Sequence, residues 1–558
     1  MNKEILSFCF EKGLLLDKEV LGLFSDADDF ESVKLIIEKI KNTTQQKIIT
    51  KKIFNENPEQ VNQIFSTLPE ERQKKLEKLK IKLGLSIEIS KQQIIEEDFQ
   101  SSAKDAGQKK EFAHIVPENH LEKCEFINSQ KIGKSETKNQ EEIVEEISEV
   151  KVKNSAICSD KKIEIGDFVK HFRTRFVEMQ NILQEHSELN NLISINKISG
   201  NQKGVSVIGI VSEKKITKNK NIFLEIEDLT GKIRVLVNKN KPELYKKAEE
   251  ITLDSVIGFK CSGNREILFV NEIVFPDAFL HEKKNSQFEE YVLFIGDLHF
   301  GSKLFLKKNF LKFVDYLNGK IPNTPEVEKI KYLFIVGDLV TGVGNYPGQE
   351  RDLKILDLEE QFAKCAESLG KIRKDIQIII SPGNHDGVRL MEPQPVIDEK
   401  YAWPIYNLKN VILTGNPARV NIGSKKDFSG FDVLTYHGFS FPFYANNIPK
   451  LMLKKAMNAP EEIMKYLLKN RHLAPTHAST QYFPLEDDAL TIKKIPDIFV
   501  AAHTHKSAVS YYNNILIIST SCWESMTPYQ EKFGNTPDHC KVPMFNLKTR
   551  AVKILDFE

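Results

Sequence analysis

Five short stretches in the C-terminal half of the chain place acidic, amide or imidazole side chains directly after an apolar run. They are Gly296-Asp297-Leu298-His299, Gly337-Asp338, Gly383-Asn384-His385-Asp386, Tyr436-His437-Gly438 and His503-Thr504-His505. The runs that precede them are rich in Ile, Val, Leu and Phe (YVLFIGD, YLFIVGD, IQIIISPGN, FDVLTYHG and IFVAAHTH), and ILIISTS adds a sixth. Such runs read as buried strands of a layered α/β domain. In such domains ligands gather beyond the carboxyl ends of the strands. Five loops meeting there can assemble Asp, His, Asp, Asn, His, His and His side chains in one cleft. Imidazole combined with carboxylate and amide oxygen suits a divalent ion such as manganese, iron or zinc. In Asp-x-His and His-x-His at a strand exit, the two side chains lie on the same side. Each pair can converge on one ion or straddle two, and Asp338 has two oxygens with which to bridge. A lone Gly-Asp is commonly a turn, and a lone His437 would more often be a structural histidine. Five pieces in series, each after a strand, argue for a two-metal site.

The elements that must position this site come from the whole chain. With 558 residues, roughly three to four domains are expected. Residues 1–92 read as a helical domain. Val33, Ile36, Ile37 and Ile40 recur at helical spacing, Asp28 with Glu31 forms a capping-box pattern, and Lys75 to Leu85 continues in the same style. No chemistry is visible in it. Residues 93–162 are polar, charged and poor in aromatics, which predicts a disordered linker, with a transient helix over Glu141 to Val150. Residues 163–283 open with an amphipathic helix carrying Phe168, Phe172, Phe176 and Ile182 and ending before Asn190. Five strand-like runs follow (VSVIGIV, NIFLEIED, KIRVLV, SVIGFKC and ILFVNEIVF), with a hairpin turn at Asp228-Leu-Thr-Gly231. That pattern resembles an OB-fold barrel, a scaffold used for single-stranded nucleic acid and for protein contacts alike. Residues 284–558 form the α/β domain.

Composition narrows the function classes. Lys+Arg is 79 against Asp+Glu 78, a net charge of +1, so coating of nucleic acid by bulk charge is excluded. Hydrophobic residues are 41% and charged residues 28%, as in ordinary globular chains. No apolar run approaches the ~20 residues of a membrane span, and the first sixteen residues do not read as a signal peptide. The seven cysteines, at 9, 124, 158, 261, 365, 522 and 540, form no Cys-x-x-Cys pair. They read as reduced thiols of a cytoplasmic protein rather than a disulfide framework.

The order of the five motifs resembles the calcineurin-like metallophosphoesterase superfamily. The flanks sharpen the resemblance: Gly337-Asp-Leu-Val-Thr-Gly342 leading to Tyr346-Pro-Gly-Gln-Glu350, Gly383-Asn-His-Asp-Gly-Val-Arg389 leading to Glu392-Pro-Gln-Pro395, then His472-Leu-Ala-Pro475 and Pro496-Asp-Ile498. From about Ile163 onward the chain is similar to the small, exonuclease subunits of archaeal family-D DNA polymerases. The resemblance implies a multidomain α/β protein in which the phosphoesterase domain is a β-sandwich flanked by helices. It implies two divalent ions, manganese first, with magnesium, iron or zinc as alternatives. One ion would be held by Asp297, His299, Asp338 and His505, the other by Asp338, Asn384, His437 and His503. His385 would be the catalytic histidine, giving a 3′–5′ exonuclease that releases nucleoside 5′-monophosphates. The implied partners are the large catalytic polymerase subunit and DNA primer–templates or single-stranded 3′ ends, with no membrane, in the cytoplasm at the nucleoid. The usual Gly-His-x-His reads Ala502-His-x-His here, which predicts a small adjustment of the turn. The ligand types are intact, unlike the degraded sets of the related eukaryotic B subunits.

Three residues carry two readings each. Asp386 either orients an imidazole or closes its turn. Arg389 either meets a DNA phosphate or forms a structural ion pair with a carboxylate such as Glu392. Tyr346, with Phe300, either stacks on a frayed base or simply packs. Two rival functions remain: a non-catalytic scaffold subunit, and a stand-alone phosphoesterase for small substrates.

Overall fold

The computed structural model describes residues 2–17, scattered positions between 20 and 49, residues 149–155, and residues 162–558 apart from 533. At the N-terminus, α1 (Asn2–Glu11) leads to β1 (Leu15–Leu16), which pairs in parallel with β2 (Ile48–Ile49). This strand pair is a departure from the all-helical expectation. Val33 and Ile37 are buried at helical spacing. Ile36, Ile40, Asp28, Glu31 and Lys75 to Leu85 lie outside the described residues, as do 93–148 and 156–161 of the expected linker.

Part of that linker is ordered. Residues Glu149–Ser155 form β3, an antiparallel edge strand against residues Ala418–Ser424. Val150 and Val152 alternate with Lys151 and Lys153, and the half-buried Val150 packs against the inter-sheet core. Charged composition does not prevent pairing when a neighbouring strand offers a free row of backbone donors and acceptors, and lysines are at home on an edge.

The amphipathic helix is α2 (Ile165–Gln184). Phe176, Met179 and Leu183 on it pack against Ile208, Val256 and Val274 of the barrel that follows. The barrel consists of β4 (Gln202–Ile216), β5 (Ile222–Asp228), β6 (Gly231–Val237), β7 (Val256–Gly263) and β8 (Leu268–Val274), closed in the order β4-β5-β6-β8-β7. Ile222, Leu224 and Ile226 point inward while Glu225 and Glu227 alternate outward, the period of two that a half-buried strand requires. Asp228 Oδ1 closes the hairpin by accepting from Thr230 N at 2.7 Å and Gly231 N at 2.9 Å. A helix that the sequence pattern did not set apart, α3 (Pro242–Glu249), joins β6 to β7 and buries Leu244 and Ala248.

The C-terminal domain has two six-stranded sheets. The first contains β9 (Tyr291–Ile295), β10 (Ile330–Val336), β11 (Gln377–Ser381) and β12 (Val411–Leu413), all parallel. The second contains β13 (Ala418–Ser424), β14 (Phe431–Tyr436), β15 (Ile498–Ala501), β16 (Ala508–Tyr512) and β17 (Ile515–Ser519), with β3 at one edge. The antiparallel pair β18 (Lys541–Asn546) and β19 (Val552–Asp556) extends the first sheet beside β9. Alternation sorts each strand into two cores. Val292, Phe294, Phe334 and Val336 face Val433, Val500 and Ile518 between the sheets, while Leu293, Ile295, Leu333 and Ile335 face outward. There they meet α4 (Lys307–Leu317) and α5 (Leu358–Leu369) through Phe310, Phe313 and Phe362. On the far side α9 (Pro460–Asn470) covers the second sheet with Ile463 and Leu467; α6 (Glu399–Tyr406), α7 (Phe441–Asn447) and α8 (Pro449–Leu453) complete the helices up to that point. The result is a β-sandwich between helical layers.

A buried charge cluster joins α2 to this domain. Arg175 Nε donates to Asp488 Oδ2 at 2.5 Å and its Nη1 to Pro475 O at 3.2 Å, while His472 Nε2 reaches the same Asp488 oxygen at 2.8 Å. Burial works against these charges, but Arg175 and His472 hold the Asp488 carboxyl well below the usual carboxylate range.

Candidate metal centre

The five loops converge as expected at one end of the two sheets. Gly296-Asp297 follows β9, Gly337-Asp338 follows β10, Gly383 to Asp386 follows β11, His437 follows β14 and His503 to His505 follows β15. Asp297, His299 and His505 bring one ligand atom each within 4.8 Å of one another, and Asp338, His437 and His503 do the same. The backbone bends sharply to do this. Asp297, His299, Asp338, His503 and His505 all have left-handed φ, between 51° and 67°. Left-handed non-glycine residues are uncommon, and strain of that kind clusters at functional sites.

Hydrogen bonds tie the loops together. His503 N donates to Asp297 Oδ2 at 3.0 Å, and His385 N donates to Asp338 Oδ1 at 2.8 Å. Asn416, which belongs to none of the five motifs, accepts from His437 N at 2.8 Å. Asp386 resolves to the second of its two readings. Its carboxylate accepts from Gly383 N at 2.8 Å and Val340 N at 3.1 Å, so it closes its own turn onto the neighbouring loop. Burial pushes its pKa up to about 7.

The tautomer of His437 is fixed by its surroundings. Nδ1 lies 3.1 Å from the carbonyl of Val336, which can only accept, so Nδ1 carries the proton. The Nε2 lone pair then faces Asn384 Oδ1 at 3.0 Å, Asp338 Oδ2 at 3.3 Å and His503 Nδ1 at 3.3 Å. An amide oxygen and a carboxylate oxygen facing that lone pair call for a positive centre between them. Burial opposes charging the ring, but Asp338 raises its pKa to about 10. The Asp338 carboxyl moves the opposite way, well below its ordinary value, because His437 and His385 outweigh the cost of burial.

The second cluster has the same character. His299 Nε2 lies 3.1 Å from His505 Nε2, and His505 Nε2 lies 3.6 Å from Asp297 Oδ1. Asp297 Oδ1 is buried without a hydrogen-bond partner. Burial raises the Asp297 pKa well above normal and lowers those of His299 and His505, with neighbouring imidazoles disfavouring charge on one another. Burial and the neighbouring His437 bring His503 down to about 3. Neutral imidazoles and a carboxylate oxygen without a partner form a donor set that fits a divalent cation.

His385 sits at the rim. Its Nδ1 lies 2.8 Å from Thr341 O and 2.9 Å from Asn345 Nδ2, which also donates to that carbonyl at 3.0 Å. This leaves Nε2 unengaged by Thr341. The ring meets His299 edge-on, with centroids 5.1 Å apart. Tyr346, next to Asn345, is 43% exposed and donates to Asp352 at 2.9 Å. Phe300 is buried among Phe305 and Phe310 and is a packing residue. Arg389 donates to Pro393 O at 2.9 Å and stacks over Phe483, with 3.7 Å from guanidinium to ring centre. The named alternative partner, Glu392, instead accepts from Tyr436 at 2.9 Å. Ala502 is accommodated because Gly296 opposes it: a Cβ on Gly296 would lie 3.0 Å from the Ala502 methyl.

Sequence reasoning missed Asn345, Asn416 and Gln530. None of these belongs to a spaced motif; Asn416 and Gln530 come from loops remote in sequence, while Asn345 lies in the loop after Gly342 and reaches His385 Nδ1 at 2.9 Å. The glycines gave the better signal. A Cβ on Gly337 would come within 2.8 Å of His437 Cγ, and one on Gly383 within 2.5 Å of Asp338 N.

Comparison with known proteins agrees with this architecture. The family of B subunits of DNA polymerases alpha and epsilon matches residues 292–510, and an OB-fold nucleic acid binding domain matches residues 205–265. The fold and site thus define a chain of the polymerase B-subunit class, in which an OB barrel precedes a two-sheet domain with a cluster of candidate metal ligands. The DNA polymerase II small subunit of Methanothermobacter thermautotrophicus is 35% identical over 398 residues, covering 71% of this chain and 80% of the relative. That of Pyrococcus furiosus is 34% identical over 436 residues, covering 76% and 69%. The chain belongs to this family, the small subunits of archaeal family-D DNA polymerases. Among solved structures, an archaeal phosphodiesterase aligns over 48% of this chain and 98% of its own, at 11% identity and a TM-score of 0.24. Among the described residues no helix is long and apolar enough to cross a membrane.

Proposed function

We propose that the chain is the proofreading subunit of a replicative polymerase, a two-metal 3′–5′ exonuclease that hydrolyses the terminal phosphodiester of DNA to nucleoside 5′-monophosphates. The observation that carries this reading is the pair of amide and carboxylate oxygens beside His437 Nε2, with His503 Nδ1 close by, a place suited to a cation. Asp297, His299, Asp338 and His505 would hold one ion, and Asp338, Asn384, His437 and His503 the other, with manganese the first choice. When bound, such ions acidify a water and neutralise charge on the phosphoryl oxygens.

The chain's own residues do the rest. Thr341 and Asn345 hold the His385 ring at Nδ1, so Nε2 is the atom that faces the leaving 3′ oxygen, to protonate or hydrogen-bond it. Asp386 holds the loop that carries Asn384 and His385. Exposed Tyr346, on the same rim, is the stacking surface for a frayed terminal base. Arg389 is engaged with Phe483 and Pro393 and keeps its loop in shape rather than meeting the DNA backbone. The large catalytic subunit is the partner, primer–template DNA is the substrate, and the OB barrel contacts one or the other. The complex works in the cytoplasm at the nucleoid.

The test is manganese-dependent release of nucleotides from a 3′-mismatched primer–template, with and without the large subunit. Mononucleotide release that is lost in both His385→Ala and Asp338→Ala supports the reading. No release by wild type, even with the large subunit present, refutes it and leaves the scaffold role.

A further inference from the structure

The segment after β17 crosses the rim of the site and carries the short helix α10 (Pro528–Lys532). It is tied to His505 at both side chain and backbone. Gln530 Nε2 lies 2.8 Å from His505 Nδ1, and Asp538 N donates to His505 O at 2.8 Å. The Asp538 carboxylate also accepts from Lys506 Nζ at 3.0 Å and Ser507 N at 3.2 Å. The Gln530 amide has a second obligation, because its Oε1 accepts from Thr527 N at 2.9 Å. Gln530 N returns the contact to Thr527 Oγ1 at 3.2 Å.

We propose that Gln530 is the positioning residue of His505, and that its one amide links ion loading to the turn at Thr527. This rests on the two-ion reading above. With Oε1 engaged by Thr527, the amide presents its N–H to His505 Nδ1, which must then be the lone-pair nitrogen. The ring proton therefore sits on Nε2, which faces His299 Nε2 at 3.1 Å and, farther off, the buried Asp297 Oδ1 at 3.6 Å. To act as a ligand through Nε2, His505 must carry its proton on Nδ1 instead. The Gln530 amide then has to turn over and offer Oε1 to that N–H, as the outer partners of ligating histidines do. Thr527 N–H loses its acceptor when this happens. A glutamate at 530 would remove the conflict, since two carboxylate oxygens can serve both N–H groups at once.

The experiment measures Mn²⁺ binding to the full chain by the signal of free Mn²⁺, and hydrogen–deuterium exchange of the peptide spanning residues 524–532. Gln530→Ala should bind Mn²⁺ more weakly, by about 10- to 100-fold, with no change in metal-free melting temperature. Gln530→Glu should bind at least as tightly as wild type. Mn²⁺ should speed exchange of the 524–532 peptide in wild type and leave it unchanged in Gln530→Glu. Wild-type affinity in Gln530→Ala, weakened binding in Gln530→Glu, or a wild-type peptide indifferent to Mn²⁺ would overturn the proposal while the two-ion reading stands. A wild-type chain that binds no Mn²⁺ would overturn both.

Discussion

Gly383 packs so closely against the Asp338 carboxylate that a single methyl there tests the geometry of the whole centre. Its φ is not left-handed, so alanine meets no intrinsic backbone penalty. Space is the obstacle. The added Cβ would lie 2.5 Å from Asp338 N and 2.8 Å from His437 Cε1, and closer still to Asp338 Oδ1. Ordinary contact begins near 3.4 Å, so Asp338 N would have to retreat by about 0.9 Å. Asp338 is held there by His385 N and faces His437, and both residues are fully enclosed. Overpacking a site of this kind costs about 1–3 kcal/mol of stability. A displacement of about 1 Å in a reacting constellation costs about 100-fold in rate. Gly383→Ala is therefore expected to stay folded, with a lowered melting temperature, and to lose most of its Mn²⁺ affinity and nucleotide release. Gly166→Ala, at a position with nothing within 4 Å of the added methyl, is the control. Wild-type Mn²⁺ affinity in Gly383→Ala would refute the claim that Asp338 and His437 are positioned for an ion by this contact.

The cluster that docks α2 supplies two further predictions. Arg175→Met removes the cation that faces Asp488 and leaves a buried carboxylate with its histidine neighbours and the Leu490 N–H but no full positive charge, which should destabilise the fold by about 3–5 kcal/mol in denaturant titration. A loss within about 0.5 kcal/mol of wild type would mean that Asp488 is not charged in the fold. His472 gives a pH dependence. Burial first, then Arg175, lower its pKa to about 4, against an ordinary value of 6.5. The unfolded chain takes up the proton first as pH falls, so stability is complete above about pH 6.5 and declines toward pH 4. The shift corresponds to a loss on the order of 3 kcal/mol. In His472→Gln, which keeps a donor toward Asp488, the difference from wild type should shrink across that window. An unchanged slope would assign the proton to another group. The depressed pKa of Asp488 acts below this window, where its contribution is lost as pH falls further.

Much of the centre was legible because its information is local. An apolar strand followed by Gly-Asp or His-x-His states both where the chain turns and what the turn carries, and the seven ligand candidates needed no long-range knowledge. The barrel was legible for the same reason, since Ile222, Leu224 and Ile226 alternate with Glu225 and Glu227. What escaped depends on partners far along the chain. Asn416 matters only because His437 N lies beside it, Gln530 only because His505 does, and neither spacing is periodic. The strand at 149–155 escaped through composition. Its lysines read as solvated linker, while its pairing is decided by the open edge of β13. Asp386 was ambiguous because a carboxylate beside a histidine in sequence suits either role, and only the positions of Gly383 N and Val340 N decide between them.

The backbone conformation bears on whether this subunit is an enzyme or only a scaffold. Five of the candidate ligands occupy the left-handed region, each at a cost of about 1 kcal/mol or more. Two carboxylates and four imidazoles are also desolvated in one place, which shifts Asp297 up and His299, His503 and His505 down. A domain that served only as a rigid support could satisfy the same strand exits with glycine, asparagine or an aliphatic residue. Between the sheets Phe294 stacks on Phe334, with ring centres 5.4 Å apart, and the surrounding core is apolar. That core is large enough to hold strained turns in place, which is what preorganising a cation site requires. The strain and the desolvation have a common relief in a bound cation, which His437 and Asp297 would help to hold. The unloaded fold should accordingly gain stability when Mn²⁺ is added, by RT ln(1 + [Mn²⁺]/Kd). A melting temperature indifferent to Mn²⁺ would leave those five turns without a physical reason.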